Sequence, residues 1–203
     1  MIKNIVFDMG QVLTDFNPDY FIRQYVTVPE DIRLLRTEIF ESSVWQELDR
    51  GSVTEEDIIA PVCDRLPLRL RASAEVLLLH WREHMTGLDN IMPLVLELKE
   101  KGYSLFLLSN AGKNMLHFTH KIPALQYFSG ILFSGEVLFL KPEKEIYLKF
   151  FEKFSLKPQE CYFIDDRPEN IAAGQALGMD GFCYGGNVAV LRNALRQAGV
   201  TLN

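Results

Sequence analysis

Five short hydrophobic runs constrain the fold of this chain more than any other feature. They lie at residues 3–7, 105–108, 131–133, 162–164 and 181–184. Runs that are apolar at successive positions, rather than at every second one, are typical of strands buried on both faces of a parallel sheet. We therefore predict five strands, the last of them at an edge of the sheet.

Segments with helical spacing follow these strands in the second half of the chain. They lie at residues 91–101, 143–154, 168–177 and 188–198. Helices that alternate with buried strands predict an α/β fold, here a three-layer, doubly wound parallel sheet with helices on both faces. Ligands of such sheets bind at the carboxyl ends of the strands.

Residues 15–85 differ from the rest of the chain because they show helical spacing and little strand character. Prolines 18 and 29 stand near expected helix starts, and Thr54 is a typical N-cap residue followed by three acidic ones. We expect four or five short helices here, inserted after the first strand. The remaining residues, 1–14 and 86–203, form the predicted core.

The composition excludes several classes of function. The chain of 203 residues has a net charge of −6 and no basic run, so neither nucleic acid nor an anionic membrane is an expected partner. Its three cysteines are far apart, which disfavours a disulfide framework or a thiolate zinc site. With no apolar stretch near the ~18 residues of a membrane span, and a first apolar run too short for a signal peptide, a cytoplasmic location is expected. The oligomeric state is left open.

Three acidic residues stand where predicted strands end. Asp8 follows the first strand, and Asp165 and Asp166 follow the fourth. Converging carboxylates repel one another unless a cation lies between them, and a few oxygen ligands suit Mg²⁺. The alternative is that each acid caps the helix that follows it.

A lysine and a serine complete the pattern at the strand ends. Lys141 precedes Pro142, which is well suited to open a helix, so its ammonium group could reach the same crevice and hold a phosphate. Ser109 and Asn110 follow the second strand, and their hydroxyl and backbone N–H groups could bind phosphate oxygens. The alternatives are a solvated lysine and an ordinary helix cap.

The order of these residues resembles that of the haloacid dehalogenase-like hydrolase superfamily. Its four motifs correspond here to IVFDMGQVL, LLSNAG, LKPEKEIY and YFIDDRPENI, and the resemblance spans essentially the whole chain. The last two are especially similar to the phosphatase branch that handles sugar phosphates and other small phosphate esters. The resemblance implies a Rossmann-type core, and residues 15–85 resemble the small helical cap that family members insert after the first strand. We call this segment the cap.

The resemblance implies an enzyme that hydrolyses a small phosphorylated metabolite. Asp8 would be the nucleophile and would form an aspartyl phosphate. Lys141 and Ser109, with help from Asn110, would hold the transferring oxygens.

The resemblance also implies a Mg²⁺ cofactor. Its ligands would be Asp8, the backbone carbonyl of Gly10 and Asp166, with Asp165 close by or acting through water. Asn170 would brace this group of residues.

One position departs from the family pattern. The family's phosphatases usually carry a second Asp two residues after the nucleophile, which serves as general acid and base, and here that position is Gly10. The loss of such a group typically slows a reaction by ~10²–10⁴-fold. Asp15 is the candidate substitute, with a helix or turn cap as the alternative.

Three other activities stay open. A 2-haloacid dehalogenase uses the same nucleophile without a metal, but the pair Asp165-Asp166 argues against it. A phosphosugar mutase would need the acidic side chain that is missing at Gly10. A phosphate-binding protein would keep the phosphate site but would not hydrolyse the ester at a catalytic rate. The physiological substrate and the cap residues that select it are not identifiable from the sequence, and a cap hinge is expected near residues 15 and 86–90.

Overall fold

Five parallel strands form one sheet in the order β3-β2-β1-β4-β5. A computed structural model describes all of residues 1–203. The strands are β1 (Asn4–Phe7), β2 (Ser104–Ser109), β3 (Gly130–Phe133), β4 (Cys161–Asp165) and β5 (Asp180–Cys183). The predicted strands and the predicted α/β fold are confirmed.

Ten α-helices accompany the sheet. They are α1 (Pro18–Arg23), α2 (Pro29–Leu35), α3 (Ser43–Arg50), α4 (Glu55–Arg65), α5 (Leu68–His80), α6 (Met92–Glu100), α7 (Ser134–Val137), α8 (Lys144–Phe154), α9 (Pro168–Ala176) and α10 (Val188–Gln197). A π-helical turn continues α2 at Arg36–Phe40, and 3₁₀ segments include Trp81–His84 and Lys113–Lys121. None of the helices is both long and apolar enough to cross a lipid bilayer.

The side chains of each strand divide between two apolar clusters. In β1, Ile5 and Phe7 belong to a cluster of 39 buried residues, whereas Val6 belongs to a second cluster of 12. Because successive side chains of a strand point to opposite faces, the two clusters mark the two covered faces of the sheet. This burial on both faces explains why the strand sequences are continuously apolar.

The cap packs on the core without an apolar core of its own. Phe21, Trp45 and Trp81 of the cap belong to the same large cluster as Ile5 and Phe7 of β1. The chain leaves and re-enters the core at one place, where Thr14 forms bridges to both Gly10 and Gly87. The predicted boundaries at residues 14 and 86 lie beside these bridges.

The end of α3 is the closest approach of the cap to the core. Gly51 has φ +78°, and a Cβ atom there would lie 2.6 Å from the carbonyl oxygen of Gly135. Next to it, the guanidinium group of Arg50 donates two hydrogen bonds, of 2.9 and 2.6 Å, to Glu143. The last turn of α3 is therefore held against the loops at the strand ends.

Gly51→Ala is expected to destabilise the protein more than Gly102→Ala does, by at least about 1 kcal/mol. Both glycines have positive φ, but nothing lies within 4 Å of a Cβ at Gly102, so that variant measures the backbone conformation alone. The measurement is urea denaturation of both variants. Equal losses of unfolding free energy in the two variants would show that the contact with Gly135 relaxes without a cost in stability.

Candidate active site

The sheet brings most of the predicted site residues to one edge. Asp8 directly follows β1, Ser109 ends β2, and Asp165 ends β4. Because β1 lies between β2 and β4, the three residues meet at the carboxyl ends of adjacent strands.

A buried ammonium group joins two of these strand ends. Lys141 Nζ lies 2.8 Å from Asp8 Oδ1 and 2.6 Å from Asp165 Oδ2. Burial by itself would lower the pKa of Lys141, but the two carboxylates together raise it above its ordinary value. Burial raises the pKa of Asp8, and the Lys141 charge opposes that rise. The lysine therefore stays charged and holds the Asp8 carboxylate at the strand end.

The Asn110 side chain fixes the loop that carries Lys141. Its Oδ1 accepts a hydrogen bond of 2.8 Å from the Lys141 backbone N–H, and its Nδ2 donates one of 3.0 Å to the Lys141 carbonyl. The side-chain amide is thus used within the protein. The donor that Asn110 offers to a ligand is its backbone N–H group.

The two acidic residues after β4 have different environments. Both oxygens of Asp165 are occupied, by the backbone N–H of Arg167 at 2.8 Å, by the Asn170 amide at 2.9 and 3.1 Å, and by Lys141. Asp166 is half-buried, and burial together with the Asp8 and Asp165 charges raises its pKa to about 6. Asp165 therefore braces Lys141, and Asn170 braces Asp165, whereas Asp166 faces the site with an uncompensated charge.

The carboxylates fit a divalent cation. One oxygen each from Asp8, Asp165 and Asp166 lie within 4.8 Å of one another. Lys141 balances only one of the three charges, although it contacts both Asp8 and Asp165. A hard cation with oxygen ligands, such as Mg²⁺, would remove the remaining repulsion.

A cavity of about 120 Å³ opens between these strand ends and the cap. Its apolar wall consists of Met9, Phe16, Trp45, Trp81 and Met115, and its polar lining includes Asp49, Arg82, Ser109 and Asn110. Trp81 Nε1 and Arg82 Nε are buried donors without a hydrogen-bond partner in the protein. Since a water molecule takes up about 30 Å³, the cavity accepts only a compact group.

A larger cavity of about 480 Å³ adjoins the first and shares Phe16, Trp45, Asp49 and Asn110 with it. It extends past Arg50, Lys141 and Arg167. Trp45 and Arg50, which the sequence places in the cap, thus both border the site.

The structure does not bring Asp15 into this site. Asp15 is exposed and lines neither cavity, because it follows the Gly10–Thr14 turn on the outer side. The carboxyl group that lines both cavities is Asp49, which the sequence analysis missed. The available signal was its spacing of four residues from Trp45, which places both on one face of α3.

Comparison with known proteins shows the family of the chain. A family model for haloacid dehalogenase-like hydrolases matches residues 2–178. The chain therefore belongs to the haloacid dehalogenase-like hydrolases, as its motifs predict, and the prediction of a hydrolytic enzyme is confirmed.

Two curated relatives extend over nearly the whole chain. A D-ribitol-5-phosphate phosphatase from Bacteroides thetaiotaomicron is 26% identical over 196 residues, which cover 90% of this chain and 91% of the relative. A sesquiterpene phosphatase from Aspergillus oryzae is 27% identical over 187 residues, with 88% of each protein covered. Both relatives carry the name of a phosphatase.

A similar fold occurs in a solved structure of a haloacid dehalogenase family enzyme from Bacteroides thetaiotaomicron, a variant in complex with magnesium and inorganic phosphate. The TM-score is 0.72 with 22% sequence identity, and the match covers 94% of this chain and 99% of that one. The likeness supports the fold.

Lys141→Met is expected to lower the free energy of unfolding by about 3–5 kcal/mol at pH 7, because Asp8 and Asp165 would stay buried without their cation. The loss should shrink as the pH falls, since Asp8, whose pKa burial raises, takes up a proton and the repulsion is lost. Urea denaturation with excess chelator measures both effects.

The exposed Lys149, which pairs with Glu152 on α8, provides the control. Lys149→Met should change stability by less than about 1 kcal/mol. Adding Asp8→Asn to Lys141→Met should recover part of the loss, and a double variant with no recovery would contradict the charge explanation.

Proposed function

We propose that the protein is a Mg²⁺-dependent phosphatase that hydrolyses small phosphate monoesters through an aspartyl phosphate on Asp8. The observation that carries this proposal is the Asp8 carboxylate, which the buried Lys141 holds at the carboxyl end of β1 beside Asp165 and Asp166. The phosphatase names of both curated relatives support it.

The chain's own residues account for phosphoryl transfer to Asp8. The Asp8 carboxylate attacks phosphorus, and the Asp8–phosphorus bond forms as the bond to the leaving oxygen breaks. Lys141 lies 2.8 Å from the nucleophile, so its charge is placed to stabilise the negative phosphoryl oxygens as well. The Ser109 hydroxyl and the backbone N–H of Asn110 line the cavity and serve as further donors to those oxygens.

Asp8, the Gly10 carbonyl and Asp166 would hold Mg²⁺, with Asp165 fixed behind them by Lys141 and Asn170. When bound, the ion supplies a Lewis acid that reduces the repulsion between the anionic nucleophile and the anionic phosphate. Magnesium and phosphate occur together in the structurally similar family enzyme, which supports this choice of metal.

The cavity supports a compact alcohol as the leaving group. Its aromatic wall is rigid, since the Trp45 and Trp81 ring centroids are 5.2 Å apart and Phe16 lies edge-on to Trp81 at 5.7 Å. The polar lining residues Asp49 and Arg82 would meet hydroxyl groups on a carbon skeleton that packs against this wall. A phosphorylated sugar or sugar alcohol meets both conditions.

The dehalogenase alternative fits the site less well. A metal-free enzyme would leave Asp166 half-buried beside two other carboxylates, with only Lys141 to offset the repulsion of three charges. A protein that binds phosphate without hydrolysing phosphate esters would show no turnover, which distinguishes it from the proposed phosphatase.

Asp8→Asn is expected to reduce phosphatase turnover at least about 10³-fold, because the amide is a poor nucleophile. A panel of phosphate monoesters with Mg²⁺, assayed by phosphate release, is the measurement. Asp180 is exposed at the start of β5, so Asp180→Asn is a control with the same loss of charge and should retain turnover. Wild-type turnover in Asp8→Asn would refute the proposal.

Asp166→Asn is expected to weaken Mg²⁺ binding by at least about tenfold, since it removes the carboxylate that is free to meet the metal. Calorimetric titration of the metal in the absence of substrate tests this separately from activity. An unchanged Mg²⁺ affinity in the variant would contradict a metal site at the pair Asp165-Asp166.

A further inference from the structure

We propose that Asp49 of the cap is the general acid and base of the reaction, replacing the carboxyl group that the core lacks at Gly10. This inference rests on the proposed phosphatase function. It assigns a catalytic role to a residue of the inserted segment rather than of the strand ends.

The core has no side chain at position 10 that could act as the general acid and base. An alkoxide leaving group needs a proton, and the water that attacks an aspartyl phosphate must lose one. No acidic side chain is available at position 10, where a Cβ atom would meet only Phe16 Cβ at 3.7 Å. The carboxylates of Asp8 and Asp165 are paired with Lys141, and neither is free for proton transfer to the leaving group.

Asp49 lies on the opposite side of the same space. It borders the small cavity together with Gly10 and Ser109, and it borders the adjoining larger one as well. The core also fixes its backbone, because the Asp49 carbonyl accepts a hydrogen bond of 2.5 Å from the Ser134 hydroxyl. Arg50 is bound to Glu143 and Gly51 is in contact with Gly135, so the core fixes the end of α3 that carries Asp49.

The charges around Asp49 suit a group that gives up a proton and takes one back. Its pKa is raised to about 8, chiefly by burial and also by the Asp8 charge, against the opposing effect of the Arg82 charge. A contact with the Trp45 side chain and the more distant Glu55 charge have smaller effects. At neutral pH the carboxyl group is therefore mostly protonated before the first step, and Arg82 stabilises the carboxylate that the step produces.

The two steps balance in protons and electron pairs. In the first, Asp8 bonds to phosphorus, the bond from phosphorus to the leaving oxygen breaks, and that oxygen takes the proton of Asp49. In the second, water bonds to phosphorus and transfers a proton to the Asp49 carboxylate. The Asp8–phosphorus bond breaks, which releases phosphate and restores both aspartates.

The test compares Asp49→Asn on two substrates, 4-nitrophenyl phosphate and an unactivated alkyl phosphate that the wild type hydrolyses. Because 4-nitrophenolate leaves without a proton, the variant should release about one equivalent of it in a burst and then turn over slowly. With the alkyl phosphate no burst should appear, and kcat/KM should fall by ~10²–10⁴-fold.

Two further measurements separate catalysis from folding. Wild-type kcat/KM for the alkyl phosphate should fall as the pH rises through about 8, and Asp49→Asn should lose this alkaline limb. Adding Gly10→Asp to Asp49→Asn should restore at least about tenfold of the lost rate, since the structure has room for a side chain at position 10.

Glu47→Gln is the matched control, because Glu47 is exposed on the same helix and should leave both substrates unaffected. If Asp49→Asn keeps wild-type kinetics on both substrates while Asp8→Asn is inactive, the acid–base assignment fails and the proposed function stands. A selective loss of alkyl phosphate hydrolysis in Asp15→Asn, with none in Asp49→Asn, would transfer the role to Asp15. If Asp8→Asn is fully active, the proposed function itself fails.

Discussion

The ion pairs of Lys141 with Asp8 and Asp165 are the interaction on which the rest of the site depends. A buried carboxylate is costly unless a cation neutralises it, and here one ammonium group serves two strands at distances below 3 Å. The surrounding contacts hold this arrangement in place, since Asn110 binds the lysine backbone and Asn170 binds Asp165. Asp8 is consequently held at the carboxyl end of β1, and Asp166 is the acidic residue of this group that forms no ion pair with Lys141.

The cap completes this site instead of merely covering it. Its aromatic residues extend the apolar cluster of the core, so the two parts share one hydrophobic interior. The contact between Gly51 and Gly135 brings α3 so close to the strand-end loops that a carboxyl group of the cap borders the same cavity as Ser109. The core would then contribute the nucleophile and the phosphate donors, while the cap would contribute the shape of the cavity and the proposed proton transfer.

Most of the fold and of the core site could be predicted because both depend on local patterns. Continuous apolar runs identify buried parallel strands, and the carboxyl ends of neighbouring strands must meet, so Asp8, Ser109 and Asp165 were predictable neighbours. The different environments of Asp165 and Asp166 were harder to predict, because they depend on which of the two carboxylates Lys141 and Asn170 contact. Asp15 was chosen for its nearness to Asp8 along the chain, whereas Asp49 is 41 positions away and close only in space.

The sequence by itself therefore determined the parallel sheet, the helical character of residues 15–85 and the places of Asp8, Asp165 and Asp166 at the strand ends. These follow from hydrophobic periodicity and chain order, which a linear pattern records. Only the tertiary structure decided which cap residues face the site, because the packing angle of short helices depends on side-chain contacts between distant segments. The absence of an acid at Gly10 is visible in the sequence, but the carboxyl group that stands opposite it became visible only when α3 was seen against the core.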